Sequence, residues 1–150
     1  MSKPKYEVRE ASYSDFDDVM KLVLSFVDER LEVFVGAINE QSMLKLLEAL
    51  FPTSFVLTYE DRVVGVIGGA IGMSPFTGKP MYQEMIWYVT PKHRKYGIKL
   101  IKKLEEFCKS KGVPQLIIGY ICGLNDDKMK NLYKRMGYEP MEVQYIKDIT

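Results

Sequence analysis

Lys92, His93, Arg94, Lys95, Tyr96 and Gly97 stand in a row between an apolar run that closes at Val89 and a helical pattern that opens near Ile98. That arrangement suits a phosphorylated ligand. A helix leaves its first-turn N–H groups without intrahelical acceptors, and its dipole favours negative charge in front of them. The amides near Tyr96, Gly97, Ile98 and Lys99 are therefore candidate donors to a pyrophosphate, with Arg94 and Lys95 supplying full positive charge. The same run also fits an ordinary solvated turn, as most charge clusters are.

Other chemistries find fewer residues to work with. The two cysteines, Cys108 and Cys122, lack Cys-x-x-Cys spacing and His93 is the only histidine, so a metal centre is not expected. No activated cysteine or serine arrangement points to a covalent acyl-enzyme. The net charge of +1 is spread along the chain, and Glu105 and Glu106 interrupt the lysines between Lys99 and Lys111, which argues against nucleic acid. The opening Met-Ser-Lys-Pro-Lys-Tyr has no apolar stretch, and no segment reaches the about 18 apolar residues of a membrane span. A cytoplasmic protein with reduced thiols is the expectation. With 150 residues, 47% of them apolar, the chain is expected to form one domain over residues 1–150.

The elements that must carry these residues follow from periodicity. Tyr6 and Val8 alternate with charged neighbours, as in a short strand. Ser14 and Asp17 read as a capping box before Phe16, Val19, Met20, Val23, Leu24 and Val27, a first helix. After a break at Gly36, Met43 to Leu50 make a second helix that stops before Pro52. Phe55 to Tyr59 and Val63 to Ile71 flank Glu60-Asp61-Arg62 as a hairpin, and Gly65, Gly68, Gly69 and Gly72 suggest bulges or close backbone approach. Met81 to Val89 is a third strand that Pro91 closes, making an antiparallel meander. Leu100, Ile101, Leu104, Phe107 and Cys108 mark one face of a helix ended by Lys111-Gly112. Leu116 to Cys122 reads as a strand buried on both faces. A helix from Asp126 to Met136 follows, with Gly137 as its C-terminal cap and Met141 to Ile146 as a closing strand.

That order, β-α-α-β-β-β-α-β-α-β, with a strand, proline, basic glycine turn and helix at its centre, resembles the GNAT superfamily of N-acetyltransferases. Two stretches carry the resemblance. Val89-x-Pro91-x-x-Arg94-Lys95-Tyr96-Gly97 is similar to the family's acetyl-CoA motif, and Asn131-Leu132-Tyr133-Lys134-Arg135-Met136-Gly137-Tyr138 is similar to its Leu-Tyr-x-x-x-Gly-Phe signature. The implied fold is α/β of the α+β type, with a mixed, mostly antiparallel central sheet flanked by helices. The turn is atypical. If Gly97 is the first motif glycine, Lys99 stands where the family has a small residue; if it is the second, the turn after Arg94 is shorter than the family's. The second register agrees better with the apolar spacing of the helix.

The resemblance implies acetyl transfer from acetyl-CoA to a primary amine of a small molecule or protein by direct attack. It makes Tyr133 the general acid that protonates the departing thiolate, although Met129, Leu132, Tyr133 and Met136 also fit a core face. Glu84 is the candidate general base, directly or through water, or else an ordinary strand carboxylate. The backbone of Trp87, Tyr88 and Val89 is expected to pair with the pantetheine arm where two parallel strands splay. Asn125 caps the last helix and could also reach the cofactor. Trp87, Tyr88, Tyr82, Phe76 and Met81 suit either an acceptor pocket or core packing, and the helices bearing Phe34 and Met43 would cover the acceptor side. A fold of this kind without turnover, acting as a CoA-binding or interaction module, is the alternative function. The edge of the closing strand could pair with a second copy as a homodimer.

Overall fold

A carboxylate tied to the first strand sets the entry into the first helix. Strand β1 (Tyr6–Glu10) brings Arg9 to Asp15, and the guanidinium donates to both carboxylate oxygens at 2.7 and 2.8 Å. Asp15 also accepts from the Ser12 amide at 2.9 Å, so the box closes on Ser12 and Asp15 instead of Ser14 and Asp17. The ion pair with Arg9 of β1 selects that position. Helix α1 (Phe16–Glu29) then buries Val19, Leu22, Val23 and Val27.

The computed structural model describes residues 5–29, 39–121 and 125–150. Gly36 and Phe34 lie outside them, as does Cys122. Helix α2 (Glu40–Leu50) is capped by Asn39, whose side chain accepts from the Ser42 amide. Three strands follow, β2 (Phe55–Tyr59), β3 (Arg62–Met73) and β4 (Pro80–Val89), paired antiparallel in sequence. Glu60 and Asp61 both take positive φ, 48° and 66°, the geometry of a two-residue turn that matches strand twist. Helix α3 (Ile98–Ser110) and a three-residue strand β5 (Gln115–Ile117) complete a five-stranded sheet in the order β1-β2-β3-β4-β5, with only the β4–β5 pair parallel.

Alternation along the strands gives the sheet two apolar faces. Val56, Val66, Ile86 and Tyr88 pack with Val19, Leu22, Val23, Leu47 and Phe51 of the α1 and α2 layer. Phe55 and Tyr82 meet Phe107 of α3, with ring centroids 5.4 and 6.5 Å apart. Leu100, Ile101 and Leu104 are fully buried there. This is the α/β, mostly antiparallel fold that the element order predicts.

The chain divides into two compact units, Met1–Ile118 and Gly119–Thr150. In the second, helix α4 (Asp126–Arg135) ends in a Schellman motif. Gly137 has φ 89°, its amide reaches the Lys134 carbonyl, and the Tyr138 amide reaches that of Tyr133.

Two expected strands are corrected. The apolar run from Leu116 is extended only to Ile117, and Gln115–Ile117 is exposed to half-buried, so it is not a strand covered on both faces. Met141 to Ile146 forms no strand among the described residues. Met141, Val143, Tyr145 and Ile146 are all exposed there, and the edge on which the homodimer expectation rests is absent. An alternating pattern says which face would be buried, but a strand also needs a partner for its backbone. No described helix is long and apolar enough to cross a membrane.

Candidate active site

The basic turn lies where the sequence places it. Pro91–Tyr96 forms a 3-10 turn, and Gly97 is the residue before the first turn of α3, with ordinary helical φ and ψ of −60° and −26°. Its value is space. A Cβ there would lie 3.2 Å from both the Arg94 carbonyl oxygen and Val89 Cγ2 and 3.5 Å from Trp87 Cζ2, so the glycine lets the helix start lie against β4. The position of Gly97 agrees with the register that places it at the helix start.

Not every expected donor is available. The Gly97 amide donates to the Arg94 carbonyl at 3.0 Å, and the Leu100 amide to the Gly97 carbonyl at 3.0 Å. Ile98 and Lys99 are left as the first-turn amides the site offers. Lys95 is exposed, with Nζ 5.1 Å from the centre of the Tyr96 ring, and Tyr96 stacks on Tyr6 at 3.7 Å. Tyr6 Oη and His93 Nδ1 lie 2.7 Å apart, so β1 holds the turn from behind.

Arg94 is engaged within the protein. Its Nε donates to the Val89 carbonyl at 2.9 Å, and its Nη2 donates to both carboxylate oxygens of Glu29 at 2.9 and 2.8 Å. The Tyr88 hydroxyl donates to the same carboxylate at 3.0 Å. Burial, and then Glu29, push the Tyr88 phenol above its ordinary range. Glu29 is the residue at this site that sequence reasoning missed. No local pattern singles it out, because its partners Tyr88 and Arg94 lie 59 and 65 positions away.

Strand β4 carries the other candidates. It pairs with β5 only at Met81, Tyr82 and Gln83, so from Glu84 to Val89 it has no ladder partner on that side among the described residues. On its other side the register with β3 shifts between Gly68 and Gly69, which pair with Ile86 and Glu84 and leave Met85 as the extra residue of a bulge. The bulge explains why Tyr82 faces α3 while Ile86 and Tyr88 face α1. It also places half-buried Glu84 beside the disruption. The five apolar candidates for an acceptor pocket are not brought together: Phe76 is 95% exposed at a hairpin tip, and Tyr82 is on the α3 side.

In the second unit, the Tyr133 hydroxyl donates to the Gly119 carbonyl at 2.6 Å, and its ring meets those of Tyr120 and Tyr138. Asn125 occupies the capping position of α4, and its backbone carbonyl, not its side chain, accepts from Met129. Cys108 is buried, and burial pushes its thiol up, away from the reactive thiolate form.

The first unit thus presents a strand, β4, that leads directly into a basic turn and a glycine-fitted helix start. Comparison with known proteins agrees. The sequence model of the Acetyltransferase (GNAT) family matches residues 22–138. Among solved structures, ribosomal-protein-alanine N-acetyltransferase from Brucella melitensis biovar Abortus 2308 superposes with a TM-score of 0.75 at 17% identity, over 97% of this chain and 100% of that one. An aminoglycoside acetyltransferase from an uncultured soil metagenomic sample, in complex with sisomicin, gives 0.74 at 17% identity over 97% of each chain. Glucosamine-6-phosphate N-acetyltransferase from Arabidopsis thaliana gives 0.71 at 14% identity, over 98% of this chain and 100% of that one. No curated protein matches at a significant level by sequence.

Proposed function

We propose, from the premise that this chain belongs to the GNAT acetyltransferase family, that it moves an acetyl group from acetyl-CoA to a primary amine by direct attack, residues 1–150 acting as one catalytic domain. The family implies acetyl-CoA as donor. The observation that carries the reading for this chain is the run of β4 beyond its ladder with β5 straight into the turn that holds Gly97. The family match spans both units, which supports treating them as one functional domain.

In this reading Ile98 and Lys99 donate their amides to the pyrophosphate, Lys95 and Arg94 supply charge, and the backbone of Trp87, Tyr88 and Val89 pairs with the pantetheine arm. Gly97 contributes space instead of an amide. Acetyl-CoA supplies the activated acyl carbon. Glu84 accepts a proton from the attacking amine, directly or through water, which leaves the nitrogen lone pair free to form the new C–N bond. Tyr133 gives its hydroxyl proton to the sulfur as the C–S bond breaks, turning away from the Gly119 carbonyl to do so. Asn125, at the start of α4, is a further contact to the cofactor.

The acceptor is a separate question. The three solved structures named above are named for different acceptors, an aminoglycoside, glucosamine-6-phosphate and a ribosomal-protein alanine, on one fold. Thiol release from acetyl-CoA, measured across those three amine classes with a Tyr133→Phe control, tests the reading. Amine-dependent release that the control loses is expected. Saturable CoA binding with no release for any amine would favour the binding-module alternative.

A further inference from the structure

Glu29, the last described residue of α1, accepts three hydrogen bonds from two other residues. Two come from Arg94 and one from the Tyr88 hydroxyl. The Arg94 guanidinium also lies over the Tyr88 ring, 5.4 Å from its centroid, and is anchored through Nε to the Val89 carbonyl. The strongest cation at the head of the basic turn is thus already neutralised by a carboxylate from a different element.

We propose that Glu29 is an internal counter-ion that competes with the phosphate groups of the donor for Arg94, so that the pyrophosphate must displace it to be seated. The proposal rests on the acetyl-CoA reading above. The geometry favours exchange over a permanent lock. The Arg94 and Glu29 side chains keep 46% and 36% of their exposure, so water and salt reach the pair and its strength is that of a surface ion pair. Arg94 is held in place by the Val89 carbonyl whether or not Glu29 stays, and the fork still has donors for a phosphate. Glu29 keeps the Tyr88 hydroxyl as a donor after Arg94 leaves it. A pyrophosphate beside an undisplaced Glu29 would meet a like charge at close range, which is why the carboxylate lowers donor affinity.

The test is calorimetric titration of CoA into the wild-type chain, Glu29→Gln, Glu29→Ala, Arg94→Ala and the Glu29→Gln, Arg94→Ala double variant. Both single Glu29 variants are expected to bind CoA roughly twofold to fivefold tighter, the range an exposed ion pair allows. The gain is expected to vanish in the Arg94→Ala background and to shrink as salt is raised. Equal or weaker binding by the Glu29 variants overturns the proposal, since a carboxylate that presents Arg94 to the ligand would weaken binding when removed. A gain that persists without Arg94 also overturns it. Failure of every form, wild type included, to bind CoA would instead overturn the donor reading beneath it.

Discussion

Two glycines three residues apart on β3 are expected to respond to the same substitution with opposite signs. A Cβ built on Gly69 would fall inside the contact distance of the Gln83 carbonyl oxygen, 2.9 Å from the Gln83 carbonyl carbon and 2.8 Å from Tyr82 Cε1. Two of those atoms are backbone of the neighbouring strand, so relief requires the bulge opposite Glu84 to shift. Gly72 has nothing within 4 Å of its Cβ position. Overpacking a site whose neighbours are main chain costs about 2–4 kcal/mol, so Gly69→Ala is expected to lower stability by that much. Gly72→Ala should raise it by about 0.4–1 kcal/mol, through the smaller entropy of the unfolded chain. With a urea m-value of about 2 kcal/mol per molar, Gly69→Ala moves the midpoint down by about 1–2 M, with m itself unchanged. A Gly69→Ala stability within about 0.5 kcal/mol of wild type would refute the close approach at the bulge, and a Gly72→Ala variant destabilised as much would refute the contrast between the two sites. Because Gly69 pairs with Glu84, the same variant should also lower turnover more than CoA affinity.

Three other outcomes follow from single contacts. Asp15→Asn should cost about 1–3 kcal/mol at neutral pH, because Arg9 loses a charged acceptor and Ser12 its cap. The Arg9 hydrogen bonds hold the Asp15 carboxyl below its ordinary 3.8, so its contribution is complete above about pH 5 and is lost as pH falls through the lowered value; urea midpoints across that range should show a shallower acid limb in the variant. Tyr82→Phe leaves the Thr53 carbonyl without its 2.6 Å donor beside a fully buried ring and should cost about 1–3 kcal/mol, read by thermal unfolding. Tyr133→Phe should reduce kcat by about 100-fold or more with CoA affinity retained, since it removes a proton donor and not a phosphate contact; an equal loss in both would mark a structural role for its bond to Gly119.

Most of the fold was legible because its signals are local. The period of α1, α3 and α4, the two-residue turn at Glu60 and Asp61, and the Gly137 cap are each decided within a few residues. The glycines of β3 announced the bulge and the close approach, though not which strand would be the bulged one. What escaped depends on tertiary contacts. The cap moved to Ser12 because Arg9 of β1, six residues before Asp15, selects that carboxylate, and Glu29 meets Arg94 across 65 positions with no pattern to announce it. Leu116 to Cys122 and Met141 to Ile146 have the composition of strands, but composition does not supply the neighbouring backbone that a ladder requires. Of the candidate site, the position of the turn and of Gly97 was readable, whereas the use of the Gly97 amide by Arg94 and the commitment of the Arg94 side chain were not.

The central claim is that the basic turn and the β4 segment leading into it together seat acetyl-CoA. Calorimetric titration of acetyl-CoA into the 150-residue chain tests it most directly. Saturable heat at a one-to-one ratio, weakened in Lys95→Ala and in a Gly97→Val variant that keeps its unfolding midpoint, is the predicted result. No heat and no thermal shift at millimolar acetyl-CoA, from a chain shown to be folded, would contradict it.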